Sequence, residues 1–181
     1  KHYIYEPMIK RSIVHMILFT LLPMFMCAQL PEVSSGKIER YEGFRSNIVN
    51  ARNVDVWLPD GYTASKKYAV LYMHDGQMLY DKYVGWNGQE WKMDEVVSAL
   101  LKDGKIRDCI VVGVWNDGEN RWSDYNPQQA LESMPKSIVD SAFLTKMFAE
   151  PNADNYLRFL VEELKPFIDD KDATLADQQN T

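Results

Sequence analysis

Basic residues, cysteine, histidine and long apolar runs are all scarce in this chain. Its 181 residues carry 20 Lys+Arg against 26 Asp+Glu, a formal net charge of −6. An acidic surface argues against nucleic acid or an anionic membrane as partner, because both reward positive charge. Beyond position 28 only Cys109 and His74 remain of their kinds. One cysteine excludes a disulfide framework within the chain, and no Cys/His cluster stands at zinc spacing. Cys109 lies inside the apolar run Cys109–Trp115, where a free thiol behaves as a small hydrophobe. No cofactor motif, internal repeat or low-complexity segment is present.

The longest apolar run, Ile13–Met26, is too short to span a bilayer comfortably, since a spanning helix needs roughly 20 apolar residues. Lys10-Arg11 precede it and Cys27-Ala28-Gln29 follow it. That is the basic, apolar and small-residue order of a secretory signal peptide; a genuine anchor or a buried helix is the plainer alternative. Cleavage after Ala28 is predicted. A lipoprotein-type site at Cys27 fits less well, because Met24-Phe25-Met26 lacks the small residues such a site carries. Met8 reads as the natural start, with Lys1–Pro7 as upstream readthrough or the product of an incomplete gene model. The expected protein is secreted or periplasmic, off the membrane once the leader is cut. Residues 29–181 then hold 17 basic against 25 acidic side chains, a net charge of −8. Their length suffices for one domain with a real core.

What is present is an alternation of strands and helices. Gly36–Phe44 and Asn53–Leu58 read as two antiparallel edge strands. In the second, Val54, Val56 and Leu58 alternate with Asp55 and Trp57, the pattern of a half-buried strand. Tyr68–Met73 and Cys109–Trp115 are near-continuous apolar runs, as in strands covered on both faces. Trp91–Lys102 reads as a helix with Met93, Val96, Val97, Leu100 and Leu101 on one stripe, and Gly104 lies just past its end. A polar excursion covers 119–151. Asn155–Ile168 is a second helix, with Tyr156, Phe159, Leu160, Leu164, Phe167 and Ile168 at helical spacing. Alternating strands and helices imply parallel pairing through right-handed crossovers.

The most informative stretch is 67–81, KYAVLYMHDGQMLYD. It joins a buried strand to the polar turn His74–Gln77, and open α/β sheets place ligands at the carboxyl ends of their strands. Backbone N–H groups of Asp75, Gly76 and Gln77 suit the holding of an oxyanion. An ordinary tight turn is the plainer account.

Val56–Tyr62, Tyr68–Gln77, Ile110–Val114, Arg121–Pro127 and the helix end Glu162–Ile168 together resemble one family. It is the secreted esterase family that includes enterochelin-esterase-like, feruloyl-esterase-like and carbohydrate esterase family 1 proteins. The resemblance runs from about Lys37 to Thr181. It implies the N-terminal part of an α/β-hydrolase fold, a mixed and mostly parallel sheet with flanking helices, truncated before the nucleophile elbow. In this family the strand after the last helix leads into Gly-x-Ser-x-Gly, followed by an acid and a histidine. Here Gly118 is the last glycine, so Ser123, Ser133, Ser137 and Ser141 lack the flanks an elbow needs. No catalytic triad residue is therefore assigned in this chain.

The resemblance assigns backbone oxyanion-hole candidates to Gly76 and Gln77, the Gln77 amide first. His74, Trp115, Trp122 and Tyr125 are substrate-cleft candidates, although His74 more often orders its own turn. Trp86 and Trp91 are further aromatic candidates, with Trp91 expected in the core. Arg121 and Asp124 are expected to pair and pin their loop. Asp169, Asp170 and Asp172 read as a solvated helix end, and no metal site is assigned. The implied function is a secreted serine carboxylic-ester hydrolase acting on carbohydrate-linked or similar esters. The implied partner is a small-molecule or polysaccharide ester. The alternative is a non-catalytic carbohydrate-binding module or a decayed esterase.

Overall fold

Cys109–Val114 (β4) is the one strand buried at every residue, because it has a neighbour on each side and helices over both faces. The computed structural model describes residues 29–139 and 151–181. Residues 1–28, the stretch expected to be a leader, lie outside the described residues, as does part of the polar excursion. Within them the sheet order is β1 (Lys37–Phe44), β2 (Arg52–Leu58), β4, β3 (Ala69–His74). β2 pairs antiparallel with both β1 and β4, whereas β3 pairs parallel with β4. β2 is thus an interior strand, not the edge strand expected from the sequence. Asp55 and Trp57 are accordingly as buried as the valines between them. Asp55 is tolerated there because Arg40, its cross-strand partner, donates two hydrogen bonds at 2.7 and 2.8 Å. The Trp115 indole supplies a third at 2.8 Å.

β3 holds the outer position. Leu71 is 43% exposed and only Ala69 and Val70 are fully covered, so the apolar run overstated its burial. Among the described residues the chain returns to that edge once, as a parallel bridge between Tyr68 and Thr174. Tyr68 N–H donates to Ala173 O, and Leu175 N–H donates to Tyr68 O, both at 2.8 Å.

Two helical elements cover opposite faces. α1 (Met93–Lys102) packs Val97 with Leu79 and Tyr80 against Trp57, Cys109 and Val111. Asp94, not Val96, occupies the next buried position, where it accepts hydrogen bonds from the Ser34 N–H and hydroxyl. Gly104 has a φ of 65° and ends α1 as expected. Among the described residues three short helices follow β4 ahead of the next cover: α2 (Arg121–Tyr125), α3 (Gln128–Glu132) and α4 (Lys136–Val139). The second cover is α5, composed of Ala153–Arg158, the π-helical turn Phe159–Leu164 and Lys165–Lys171. Tyr156, Phe159, Leu164 and Ile168 of α5 meet Val54, Val56, Val70, Ile110 and Val112. Each such fully buried aliphatic or aromatic side chain contributes about 1.5–3 kcal/mol. The π turn was not expected. It follows from Pro166, whose ring excludes a regular helical turn around the carbonyl four residues earlier, at Glu162. Among the described residues no helix is long and apolar enough to cross a membrane.

Candidate functional site

β3 is a topological switch point. From its carboxyl end the chain passes through α1 to β4 on one side. It then returns through α5 to Thr174 on the other side. Crossovers of one hand running in opposite directions lie on opposite faces, which opens a crevice at the end of the strand between them. The residues standing at that crevice are His74–Gln77.

Asp75 turns the chain with a left-handed conformation, φ 54° and ψ 45°, which costs a non-glycine residue free energy. Its carboxylate shows what holds it. Arg121 donates two hydrogen bonds to it, Nε at 2.8 Å and Nη2 at 2.6 Å, and Asn116 Nδ2 donates a third at 2.7 Å. Burial pushes the Asp75 carboxyl up, but these donors outweigh it and hold it below the usual carboxylate range. The Asp75 N–H donates to the Tyr125 hydroxyl at 3.3 Å. Of the three amides predicted as oxyanion donors, that one is occupied. Gly76 and Gln77 open the short 3-10 turn Gly76–Met78. As its first residues they have no carbonyl acceptor inside it.

Gly76 is required by close approach. A Cβ there would lie 2.6 Å from the backbone of Gly113 and 2.9 Å from Trp115 Cδ1. The Gln77 side chain ties the turn to the end of β4, its Oε1 accepting from Asn116 N–H at 3.2 Å.

Two cavities flank this turn. The first, about 490 Å³, is bordered by Asp75, Gln77, Asn87, Asn116 and Arg121, with three tryptophans, Trp86, Trp91 and Trp122. The second, about 390 Å³, lies beside His74, Tyr125, Tyr156, Gln128, Asp154 and Leu157. His74 Nδ1 and the Tyr156 hydroxyl stand 2.9 Å apart, and both rings pack against Tyr125. Burial lowers the His74 pKa, with Arg121 adding to the effect and Asp75 opposing it. Burial, helped by the Asp75 charge, pushes the Tyr125 hydroxyl up to about 12. Both groups are therefore neutral near pH 7.

The family model described as "Putative esterase" matches residues 46–181. The chain belongs to this esterase family. Its fold is similar to a CE1 ferulic acid esterase from Anaeromyces mucronatus solved with ferulic acid. The two share 22% identity at a TM-score of 0.53, over 84% of this chain and 49% of that one. It is also similar to the IroE-like serine hydrolase from Shewanella oneidensis, at 25% identity and TM-score 0.54, over 77% of this chain and 39% of that one. The BES protein from Bacillus cereus matches at 19% identity and TM-score 0.51, over 81% and 50%. The chain thus spans half or less of each of these proteins.

The structure distributes the chain's sequence-predicted site residues unevenly. Trp122 joins the first cavity, while His74 and Tyr125 line the second. Trp115 lines neither: it lies under Gly76 with its indole bound to Asp55, and so supports the turn from below. Trp91 is 46% exposed and belongs to the first cavity rather than the core. Arg121 and Asp124 do not pair; Arg121 grips Asp75, and Asp124 accepts from buried Arg52 at 2.9 Å. Sequence reasoning missed Tyr156 as the partner of His74, since its place in the apolar stripe of α5 hid its hydroxyl. It also missed the Arg121 clamp, whose partner lies 46 residues earlier and left no local signal.

Proposed function

We propose that this chain supplies the oxyanion-holding part of a serine carboxylic-ester hydrolase that acts on carbohydrate-linked or similar esters. The nucleophilic serine, its histidine and its acid are contributed by sequence beyond the residues given. The observation carrying this reading is the Asp75–Gln77 turn, clamped by Arg121 at the switch point of an esterase-family sheet. The serine attacks the ester carbonyl while the histidine takes its proton. Amides of Gly76 and Gln77 stabilise the oxyanion of the tetrahedral intermediate, an interaction that strengthens only as the charge develops. Collapse of that intermediate expels the alcohol, and water then releases the acid from the acyl-enzyme. The ferulic acid complex of the fungal neighbour supports a small ester as substrate. The leader reading places the enzyme in the periplasm or outside the cell.

The test is to express the full coding frame and assay p-nitrophenyl acetate with and without a serine-directed phosphonate. Turnover abolished stoichiometrically by the phosphonate supports the reading. The 181-residue polypeptide alone is expected to be inactive, and phosphonate-sensitive turnover by it would overturn the assignment of the serine elsewhere. N-terminal sequencing of the exported protein, expected to begin at Gln29, tests the leader.

A further inference from the structure

The loop between the candidate oxyanion turn and α1 is fastened at both ends and open at its tip. Val84 N–H donates to Asp81 O at 3.1 Å, Lys82 N–H to Glu90 Oε2 at 3.0 Å, and Trp91 N–H to Met78 O at 2.8 Å. Between those ties stand Trp86, Asn87, Gly88 and Gln89, all exposed. An asparagine amide is an electrophile within reach of the next residue's backbone nitrogen, and a Cβ on that residue obstructs the approach. Asn87 is the one asparagine of the chain followed by glycine. Every other is followed by a residue with a Cβ, and Asn126 by a proline, which has no N–H to lose.

Three features of the fold favour attack at this step. Gly88 has a φ of 67°, and beyond its chain neighbours nothing lies within 4 Å of where its Cβ would stand. Its N–H has no hydrogen-bond partner among the described residues, so no bond must break before the nitrogen reacts. Gln89 N–H donates to Asn87 Oδ1 at 3.1 Å, which polarises the side-chain carbonyl and places a donor where an oxyanion would form. The step Asp75–Gly76, on the same cavity, is the opposite case. Its carboxylate is held by Arg121 and Asn116 and kept ionised, which makes it a poor electrophile, and Gly76 is pressed against the Gly113 backbone.

We propose that Asn87 is a site of spontaneous deamidation and isomerisation, which resets the charge of the cavity beside the candidate oxyanion turn. Gly88 N gives its proton to water and bonds to Asn87 Cγ. The Cγ–Nδ2 bond then breaks, and Nδ2 leaves as ammonia with a proton taken from water, closing a succinimide. Water adds to one of the two ring carbonyl carbons. Breaking the bond from Gly88 N to Cγ gives aspartate; breaking the bond from Gly88 N to the Asn87 backbone carbon gives isoaspartate, whose chain runs through the former side chain. Water is the sole co-reactant. Asn87 borders the 490 Å³ cavity together with Asp75, Gln77 and Arg121. Asp75 and Arg121 offset each other there, so a new carboxylate turns a balanced wall negative and disfavours a second negative charge at the turn. That consequence rests on the ester-hydrolase reading; the modification does not.

The full-length protein is held folded at mildly alkaline pH, sampled over days and digested with trypsin. The peptide Tyr83–Lys92 contains Asn87 as its sole asparagine, so its mass and its labelling by an isoaspartyl methyltransferase report this site alone. Conversion at Asn87 is expected at least tenfold faster than at any other asparagine, with isoaspartate in excess over aspartate. It should match or exceed conversion in the free synthetic peptide 83–92, and Asn87→Gln should abolish it. An intact Asn87 in the folded protein, while the free peptide converts, overturns the proposal. So does conversion no faster than at the other asparagines. Turnover of p-nitrophenyl acetate should fall severalfold in step with conversion, and Asn87→Asp should show part of that fall from the start. Unchanged turnover in fully converted protein overturns the claimed effect on the cavity. A freshly made parent without turnover overturns the ester-hydrolase reading instead, and the mass measurement still decides the modification.

Discussion

Asp55 and Asp75 are held by the same chemistry in two settings. Each carboxylate takes two hydrogen bonds from one arginine and a third from a neutral donor, Trp115 for one and Asn116 for the other. The Arg40–Asp55 side chains are 5% and 1% exposed, whereas those of Arg121 and Asp75 are 34% and 8% exposed. In the first case both charges have left water, so each is intolerable without the other. In the second the arginine remains wetted and its pairing adds little stability. What it fixes is the place of a strained turn. One arrangement is therefore about whether the sheet exists, the other about where four residues point. Trp115 links them, because it binds Asp55 with its indole N–H and lies against Gly76 with its ring.

The comparison breaks most visibly at Arg40. Arg40→Met leaves Asp55 charged and buried, and is expected to cost about 3–5 kcal/mol in urea unfolding. Replacing Asp55 by an apolar residue in the same chain should recover most of that loss. A smaller effect is expected at the contact between the two regions. Gly76→Ala drives a methyl into the Gly113 backbone and should cost about 1–3 kcal/mol. On the proposed ester-hydrolase function, kcat of the full-length protein should fall with it, because the turn must move. Arg121→Met sharpens the contrast further: it should cost only about 1 kcal/mol in unfolding, yet lower kcat with KM little changed. Arg121→Lys, which lacks the bidentate fork, should not rescue it. A stability loss equal to that of Arg40→Met would mean that both clamps serve the fold alike.

The smallest effect is on pH. His74 titrates lower in the folded chain than its ordinary 6.5, mainly through burial. As pH falls below 6.5 the unfolded chain takes up the proton first, so stability is full above that value and declines below it. The Asp75 carboxyl, also lowered, adds its own loss only in more acid solution, below the ordinary carboxylate range. Urea midpoints measured between pH 5 and 8 should show the shallow decline in the parent and a flatter profile in His74→Gln.

Much of the fold was legible because its signals are local. The stripe of α5, the Gly104 stop after α1 and the six apolar residues of β4 each announce an element within ten or so positions. The errors arose where a partner lies far along the chain. Nothing near Asp55 tells that Arg40 and Trp115 will enclose it, so β2 read as half-buried. Nothing near Leu71 tells that β3 takes the outer place in the sheet, so its run read as fully covered. The turn at Asp75 was legible as a candidate site; its clamp and the gathering of Trp86 and Trp91 beside Trp122 were not, because they depend on loops meeting in space.

The widened turn in α5 has a consequence for chain length. Phe159 and Leu164 stand five residues apart, yet both are fully buried, which a π turn permits and a regular α-helix opposes. That segment carries one residue more than its path requires. Deleting exposed Val161 alone would set the Pro166 ring against a regular turn. Deleting it together with Pro166→Ala should rewind the rod to uniform pitch and keep the same face on the sheet. At this place, and at no neighbouring one in the helix, sequence length and buried face are free to vary independently.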